Sequence, residues 1–543
     1  MTKTWYSCAL LAIVIVAAAF RLPALDARPM HTDEAVHAYK FDEFWRTGEY
    51  VYDPFEYHGP TLYYFTWPIM WLGGGATYAE ANETTFRLGP ALFGIGLILL
   101  LPLVADGLGR PATVIAGLLI AVSPAMTFFS RYYIQEPLLT FFAFAMIACG
   151  WRYVRSKKIV WALLCGASIG LMHASKETSI ISWAASAMAI VFLIFLRRKR
   201  RGGGRPEQAQ LVRETVQYAS KKDGKGFLAV AAPIVCATVV AAAVSIMCFS
   251  TFFQNWRGPI DSLGTYQTYF HRAGTQGLHL QPWYYFLKIF SYTQYGRGPV
   301  WTELFIIALA IVGICSALFS HRRDARAMDL PRFLAVYALI QLVVYSAIPY
   351  KTPWCMLQFF HPLCLLAGVG AQRLIRAARW LPLQIWAATA MLAGVAHLTT
   401  QSYRLNFDFS FAHRTAQPYI YAHTLNGMKK MAVWVDRLAE VHEDGDDMLV
   451  KVIADDAWPT PWYLRHLPNV GYWPALPDDV DAPVIIVAET LYEEFDARRK
   501  QEYHVSIYGL RRGVRMLVCA EQSLFEAFQT RERAKATTRE TSP

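Results

Sequence analysis

The chain has 543 residues, 55% of them hydrophobic and only 17% charged, with a net charge of +11. That composition excludes intrinsic disorder, a collagen-like fibre and a secreted disulfide scaffold, and points to a polytopic membrane protein. The charge does not mark a nucleic-acid binder: residues 399–543 hold 21 of the 41 acids and 17 of the 52 basic residues, so the positive excess sits in residues 1–398, in short loops between apolar stretches.

A helix needs about 20 apolar residues to cross a bilayer. Such stretches are predicted at roughly 5–24, 86–105, 111–130, 136–153, 159–175, 178–196, 227–250, 301–319, 332–349, 356–375 and 380–398, about eleven transmembrane helices. The first reads as an uncleaved anchor, because its apolar run is long for a signal peptide. Basic clusters at Arg152–Lys158, 197–226, Arg322–Arg332 and Arg373–Arg379 mark the cytoplasmic side. With the N-terminus inside, all four fall on that side. The opposite face then receives loops 25–85 and 251–300, the turns near 131, 176 and 351, and the tail. Segment 61–75 (TLYYFTWPIMWLGGG) is apolar but short and reads as interfacial or re-entrant.

The fold class expected is therefore a polytopic α-helical membrane domain over 1–398 with a small extracytoplasmic α/β domain over 399–530 and a disordered tail over 531–543. In the tail, MLVKVIAD, APVIIVAE and RGVRMLVCA read as strands, with MKKMAVWVDRLAEV and ETLYEEFDARRKQ as helices between them. The nine cysteines include no CxxC pair, hence no zinc site or disulfide framework.

Ionisable residues gather on the outer side. HTDEAVHA carries His31, Asp33, Glu34 and His37; adjacent carboxylates suit a general base or a cation site, or equally a helix N-terminus capped by Thr32. Asp53, Glu56 and His58 lie among five tyrosines that include Tyr57, a pattern suited to sugar faces or to an interface belt. SRYYIQEP places Arg131 and Glu136 at the start of a span, HASKET carries Lys176 and Glu177, and YKTPW carries Lys351 and Trp354. Two outer lysines oppose the positive-inside bias, and neutralising a phosphate is one reason for them. The loop 251–300 adds His271 and Arg272. Acids and cations on one face fit a reaction in which a base activates a hydroxyl and cations hold a phosphate leaving group.

Taken in order, DEAVHA, YDPFEYHGP, SRYYIQE, HASKET and YKTPW resemble the C-type (GT-C) superfamily of polyprenyl-phosphate-dependent membrane glycosyltransferases, which includes protein O-mannosyltransferases and aminoarabinose transferases; the pattern is most similar to a prokaryotic subfamily associated with lipid-linked glycan flippase activity. The resemblance covers residues 1 to about 400. It implies Asp33 as general base, supported by Glu34, with Glu136 a further catalytic acid. It implies Arg131, Lys176 and Lys351 at the donor phosphate, and His31, His37, Tyr57, His58, Glu177, Trp354, His271 and Arg272 at the substrates. A divalent cation is an optional cofactor, with Glu34 and Glu136 as its candidate ligands. The partners implied are a polyprenyl-phosphate sugar donor, a glycan, lipid or protein hydroxyl acceptor and membrane lipids, with no nucleic acid, in a multi-pass protein of the cell (inner) membrane. Sugar transfer would proceed with inversion.

Two alternatives differ in class. A transporter or flippase component would place charges near the bilayer midplane and show inverted repeats. A receptor would act through the tail, where Asp455, Asp456, Trp458, Trp462, Tyr463 and Arg465 suit either a glycan or protein surface or a packed aromatic core.

Overall fold

The structure, a computed structural model, describes residues 1–202, 225–274, 280–319, 329–408 and 417–540; of residues 199–202, 225–230, 269–274 and 536–540 it describes the backbone alone. Hydrocarbon offers no partner for a backbone N–H or C=O, so each crossing must satisfy its own ladder. The apolar stretches are accordingly helical. Eight helices among the described residues are long and apolar enough to cross a membrane: Lys3–Arg21, Glu83–Leu108, Glu136–Ser156, Ser179–Arg198, Ala231–Phe249, Asp329–Ala347, Pro353–Ala377 and Leu381–Phe407. Three shorter apolar helices, Arg110–Val122, Ile159–His173 and Leu304–Phe319, occupy the remaining predicted spans. The protein is a multi-pass membrane protein.

Segment 61–75 is a helix Thr61–Ile69 followed by one π turn, Met70–Gly74. Pro68 interrupts the first and Gly73, at φ 119°, ends the second, so the segment is too short to cross. Trp71 and Leu72 are exposed, as an interfacial segment requires.

Two helices near the centre pack at backbone contact. A Cβ on Gly370 would lie 2.0 Å from the Leu309 carbonyl oxygen, and one on Gly313 2.0 Å from that of Leu366. Lipid supplies no hydrophobic drive between helices, so close approach through small residues is what joins Leu304–Phe319 to Leu357–Ala377.

Helix ends sort onto two rims. On one, Asp106 gathers Arg152 and Arg155 at 3.2 and 3.3 Å. Arg110 reaches the Met1 carbonyl at 3.3 Å on the same rim. Most of the basic stretch 197–226, with Arg322, Arg323 and Arg326, lies outside the described residues. The other rim carries loop 25–85 and the C-terminal segment, which touch one another.

That segment forms a five-stranded sheet of β1 (Val450–Ile453), β2 (Val470–Trp473), β3 (Val484–Ala488), β4 (Tyr503–Arg511) and β5 (Val514–Glu521). The order is β2-β1-β3-β5-β4. Strands β2, β1 and β3 are parallel, while β5 runs antiparallel to β3 and β4. Side chains alternate between two cores. Val452, Ile486 and Val518 face helix Gly427–Ala439, while Ile485, Val487 and Cys519 pack with Phe495 of helix Tyr492–Arg498. The sequence predicts β1, β3 and β5; β2 and β4 are additional. Helix Gln522–Glu540 runs through most of 531–543, the stretch expected to be disordered. Ion pairs hold it: Arg437 to Glu532 at 2.5 Å and Arg531 to Glu440 at 3.2 Å.

The sheet is fastened to the outer loops by its own aromatic residues. Trp462 is buried against Phe86 and Tyr78, with ring centroids 5.4 and 5.7 Å away. The Met30 N–H donates to the Tyr463 hydroxyl at 2.9 Å, and Arg465 donates to the carbonyls of Tyr78 and Ala81. These three residues are packing, the second of the two readings above.

Gly370→Val must force the two central helices apart. It is expected to destabilise the protein by about 1–3 kcal/mol, measured as a lower apparent Tm in detergent, whereas Gly264→Ala, with nothing within 4 Å of the added carbon, is expected to leave it unchanged.

Candidate active site

The site is built around the start of helix Thr32–Thr47. His31, not Thr32, caps it: His31 Nδ1 accepts the Asp33 N–H at 3.1 Å, and Glu34 Oε2 accepts the His31 N–H at 2.9 Å. Accepting at Nδ1 leaves the ring proton on Nε2, which donates to the Tyr421 carbonyl 2.6 Å away. His31 is thus neutral, and burial lowers its pKa further.

Adjacent residues on a helix point about 100° apart, and the two acids diverge completely. Glu34 is fully buried. Its Oε1 accepts from Arg87 Nε at 2.7 Å and from the Tyr133 N–H at 2.9 Å, and its Oε2 accepts from an Arg87 terminal nitrogen at 2.7 Å. Burial alone would raise the Glu34 pKa, but Arg87, then Arg28, hold it down at about 2. Both Glu34 oxygens are thus taken up by Arg87 and backbone N–H groups. Asp33, by contrast, keeps a carboxylate with 41% of its side chain exposed, and Oδ1 lies 3.7 Å from His31 Nδ1.

One turn on from Asp33, His37 accepts or donates at Nδ1 with the Tyr63 hydroxyl, 2.9 Å away. Burial lowers its pKa well below the usual value, and the neighbouring His58 and Lys176 add to that. Lys40, a turn further, pairs with Glu43 at 2.7 Å and lies 4.7 Å from the centre of the Tyr57 ring.

Two motifs distant in sequence meet behind this helix. A Cβ on Gly59 would sit 2.2 Å from the Ala174 carbonyl oxygen, so only glycine lets loop 50–60 lie on turn 173–178. The contact is sealed by the Thr61 N–H to the Ala174 carbonyl at 3.0 Å and by Thr61 to Ser175 at 2.7 Å. It places His58 Nδ1 2.8 Å from Glu177 Oε2, and the Tyr52 hydroxyl donates to Glu177 Oε1 at 2.9 Å. Burial pushes the Glu177 pKa up, but His58 and Lys176 outweigh it and hold the carboxyl below its usual value. Lys176 forms a buried ion pair with Glu136, whose attraction outweighs burial and keeps the ammonium charged. Glu136 Oε2 is buried and has no hydrogen-bond partner among the described residues. Trp354, in the same turn as Lys351, packs edge-on to His31 at 5.6 Å.

Other expected contacts resolve differently. Arg131 is buried, and its terminal nitrogens donate to the carbonyls of Phe20, Arg21, Pro23 and Ala24. It ties off the end of the first helix, where the Phe20 and Arg21 carbonyls have no helical partner of their own. Lys351 lies in the turn before Trp354 and donates to the carbonyls of Gln281 and Ile348 at 3.0 and 2.5 Å. The side chains of His271 and Arg272 lie outside the described residues. Among the described residues, no three His, Cys, Asp or Glu side chains are grouped to hold a metal ion.

Three participants lay outside every motif: Arg87, Tyr421 and His423. Arg87 had a readable signal, a lone arginine inside an apolar span, which demands a partner. His423, paired with the Tyr132 hydroxyl, had none.

A family model described as dolichyl-phosphate-mannose-protein mannosyltransferase matches residues 58–203, the stretch holding His58, Glu136, Lys176 and Glu177. By structure the chain is similar to ArnT from Cupriavidus metallidurans bound to undecaprenyl phosphate, with TM-score 0.61 and 16% identity over 96% of this chain and 99% of that chain. It is also similar to the Archaeoglobus fulgidus oligosaccharyltransferase in its apo form, with TM-score 0.56 and 12% identity over 88% of this chain and 65% of that chain. By sequence, no curated protein matches it. The chain has the fold of the C-type membrane glycosyltransferases.

Glu34→Gln leaves Arg87 buried without its counter-charge and is expected to lose about 3–5 kcal/mol, seen as a fall in folded yield. The Glu34 carboxyl is ordinarily near 4.5 and stands at about 2 when folded. The unfolded chain therefore binds this proton first as pH drops. The pair's stabilisation is full above about pH 4.5 and is lost as pH falls toward 2, which acid denaturation of the wild type against Glu34→Gln measures.

Proposed function

We propose that this protein moves a sugar from a polyprenyl-phosphate donor to a hydroxyl acceptor on the extracytoplasmic face of the cell membrane, with residues 1–398 carrying the chemistry and 399–530 covering it from outside. The observation that carries this reading is the split between the paired acids: Glu34 locked by Arg87, and Asp33 beside it with an open carboxylate.

Asp33 takes the proton of the acceptor hydroxyl. The hydroxyl oxygen then attacks the anomeric carbon from the side opposite the phosphate, the carbon–oxygen bond to phosphate breaks, and the configuration inverts. The polyprenyl phosphate leaves with the bonding pair. Lys176 and Lys351 offset the charge that builds on it, and His37 and His58, one held neutral and one on Glu177, line the sugar side. The fit of a polyprenyl phosphate is supported by the ligand of the structurally similar ArnT, which is undecaprenyl phosphate. A transporter reading is less well supported, because Asp33, Glu136, Lys176 and Glu177 all lie at helix ends on one rim.

The decisive experiment places purified protein in bilayers with labelled polyprenyl-phosphate hexoses and follows release of sugar from the lipid. Asp33→Asn is expected to lower transfer by about 10²–10⁴-fold with apparent Tm unchanged; full activity in that variant removes the assigned base. Lys351→Ala is expected to raise KM for the donor more than for the acceptor, and equal effects on both would remove its phosphate contact.

A further inference from the structure

Strands β2, β1 and β3 run parallel in the order β2-β1-β3. The chain leaves β1 toward one side and then returns to the other, so the carboxyl end of β1 is a topological switch point, where open α/β sheets form their binding crevice. The loop that emerges there carries Asp455, Asp456 and Trp458. It is held still on its far side by Trp462, Tyr463 and Arg465, fastened to the outer loops.

This loop faces the helix that carries Asp33. Trp458 meets Tyr39 of that helix edge-to-face at 5.9 Å, and Tyr39 remains 46% exposed. Asp456 pairs with Arg511, which comes from the end of β4. The Asp456 side chain stays 53% exposed. An exposed tyrosine and a half-buried tryptophan thus stand beside a paired carboxylate and guanidinium, against the helix that carries Asp33.

We propose that this joint between helix Thr32–Thr47 and the loop after β1 is the acceptor subsite, and that the acceptor it holds is a neutral glycan. The inference rests on the transferase reading above. The chemistry selects the class. Aromatic rings with an accessible face cover the C–H faces of a pyranose while their edges remain free for polar contact. A carboxylate accepts from hydroxyls and a guanidinium donates to them in a fork, so the pair reads adjacent hydroxyls from both sides. The pair is neutral overall, and Asp455 beside it is exposed, so an anionic headgroup is repelled. The subsite belongs to the sheet, on the water side of the helices, which disfavours an acyl chain.

The test needs no donor. Full-length protein in nanodiscs is titrated against a fluorescently labelled linear mannohexaose, read by anisotropy, with an unglycosylated serine/threonine-rich peptide as the competing probe. The wild type is expected to bind the hexasaccharide saturably. Trp458→Ala and Asp456→Asn are expected to weaken binding by about tenfold or more, equivalent to about 1.4 kcal/mol, and Trp458→Phe, which keeps a ring, to recover most of it. Binding that is absent, that is unchanged in Trp458→Ala with intact apparent Tm, or that favours the peptide, overturns the proposal. Hexasaccharide binding by a protein that releases no sugar from any donor would overturn the transferase reading and leave this subsite standing.

Discussion

The contact on which the rest depends is the ion pair of Glu34 and Arg87. Both groups are buried, and such a pair is stable only when its remaining hydrogen-bonding capacity is met. Here it is: the second guanidinium nitrogen reaches the carbonyls of Leu25 and Arg28 at 2.7 and 2.9 Å, and Glu34 takes the Tyr133 and His31 N–H groups. One pair therefore joins the exit of the first helix, the start of Thr32–Thr47, the second span and the turn before the fourth. Asp33 is the residue next to the knot, and its direction is set by it.

The same logic runs through the site. Each expected charge is either tied into the scaffold or left near an opening, and its type alone does not say which. Glu34 and Arg131 hold backbone; Glu177 holds His58 and Tyr52; Asp33 faces outward. Lys176 and Glu136 neutralise one another in a buried setting, so any phosphate bound there competes with an acid already in place. A fixed, dry arrangement of this kind is where electrostatic stabilisation of developing charge is strongest.

The apolar stretches were legible because hydrocarbon enforces length and continuity: every predicted span holds a helix, and the short, Trp-rich segment 61–75 stops before crossing. Strands β1, β3 and β5 were legible as runs of aliphatic residues. β2 is four residues at the sheet edge and β4 carries His504, Ser506 and Gly509 within its alternation, so neither reads as a buried strand. At the site, motif and proximity were legible together, but function within a motif was not. SRY announced Arg131 without showing that it faces four carbonyls, and DE announced two acids without showing that Arg87 claims one. Those assignments depend on partners about 50 to over 100 residues away, which local pattern does not reach.

His31 has a consequence for the order in which the protein matures. The cap of helix Thr32–Thr47 is made near the beginning of the chain, yet its ring is oriented by the Tyr421 carbonyl, and Met30 beside it is held by the Tyr463 hydroxyl. Ribosomes deliver the N-terminal portion first, so the membrane helices are inserted and folded while that orientation is still missing. The C-terminal portion then acts as the final keystone, and a truncated or prematurely released chain inserts with this helix start left unlocked.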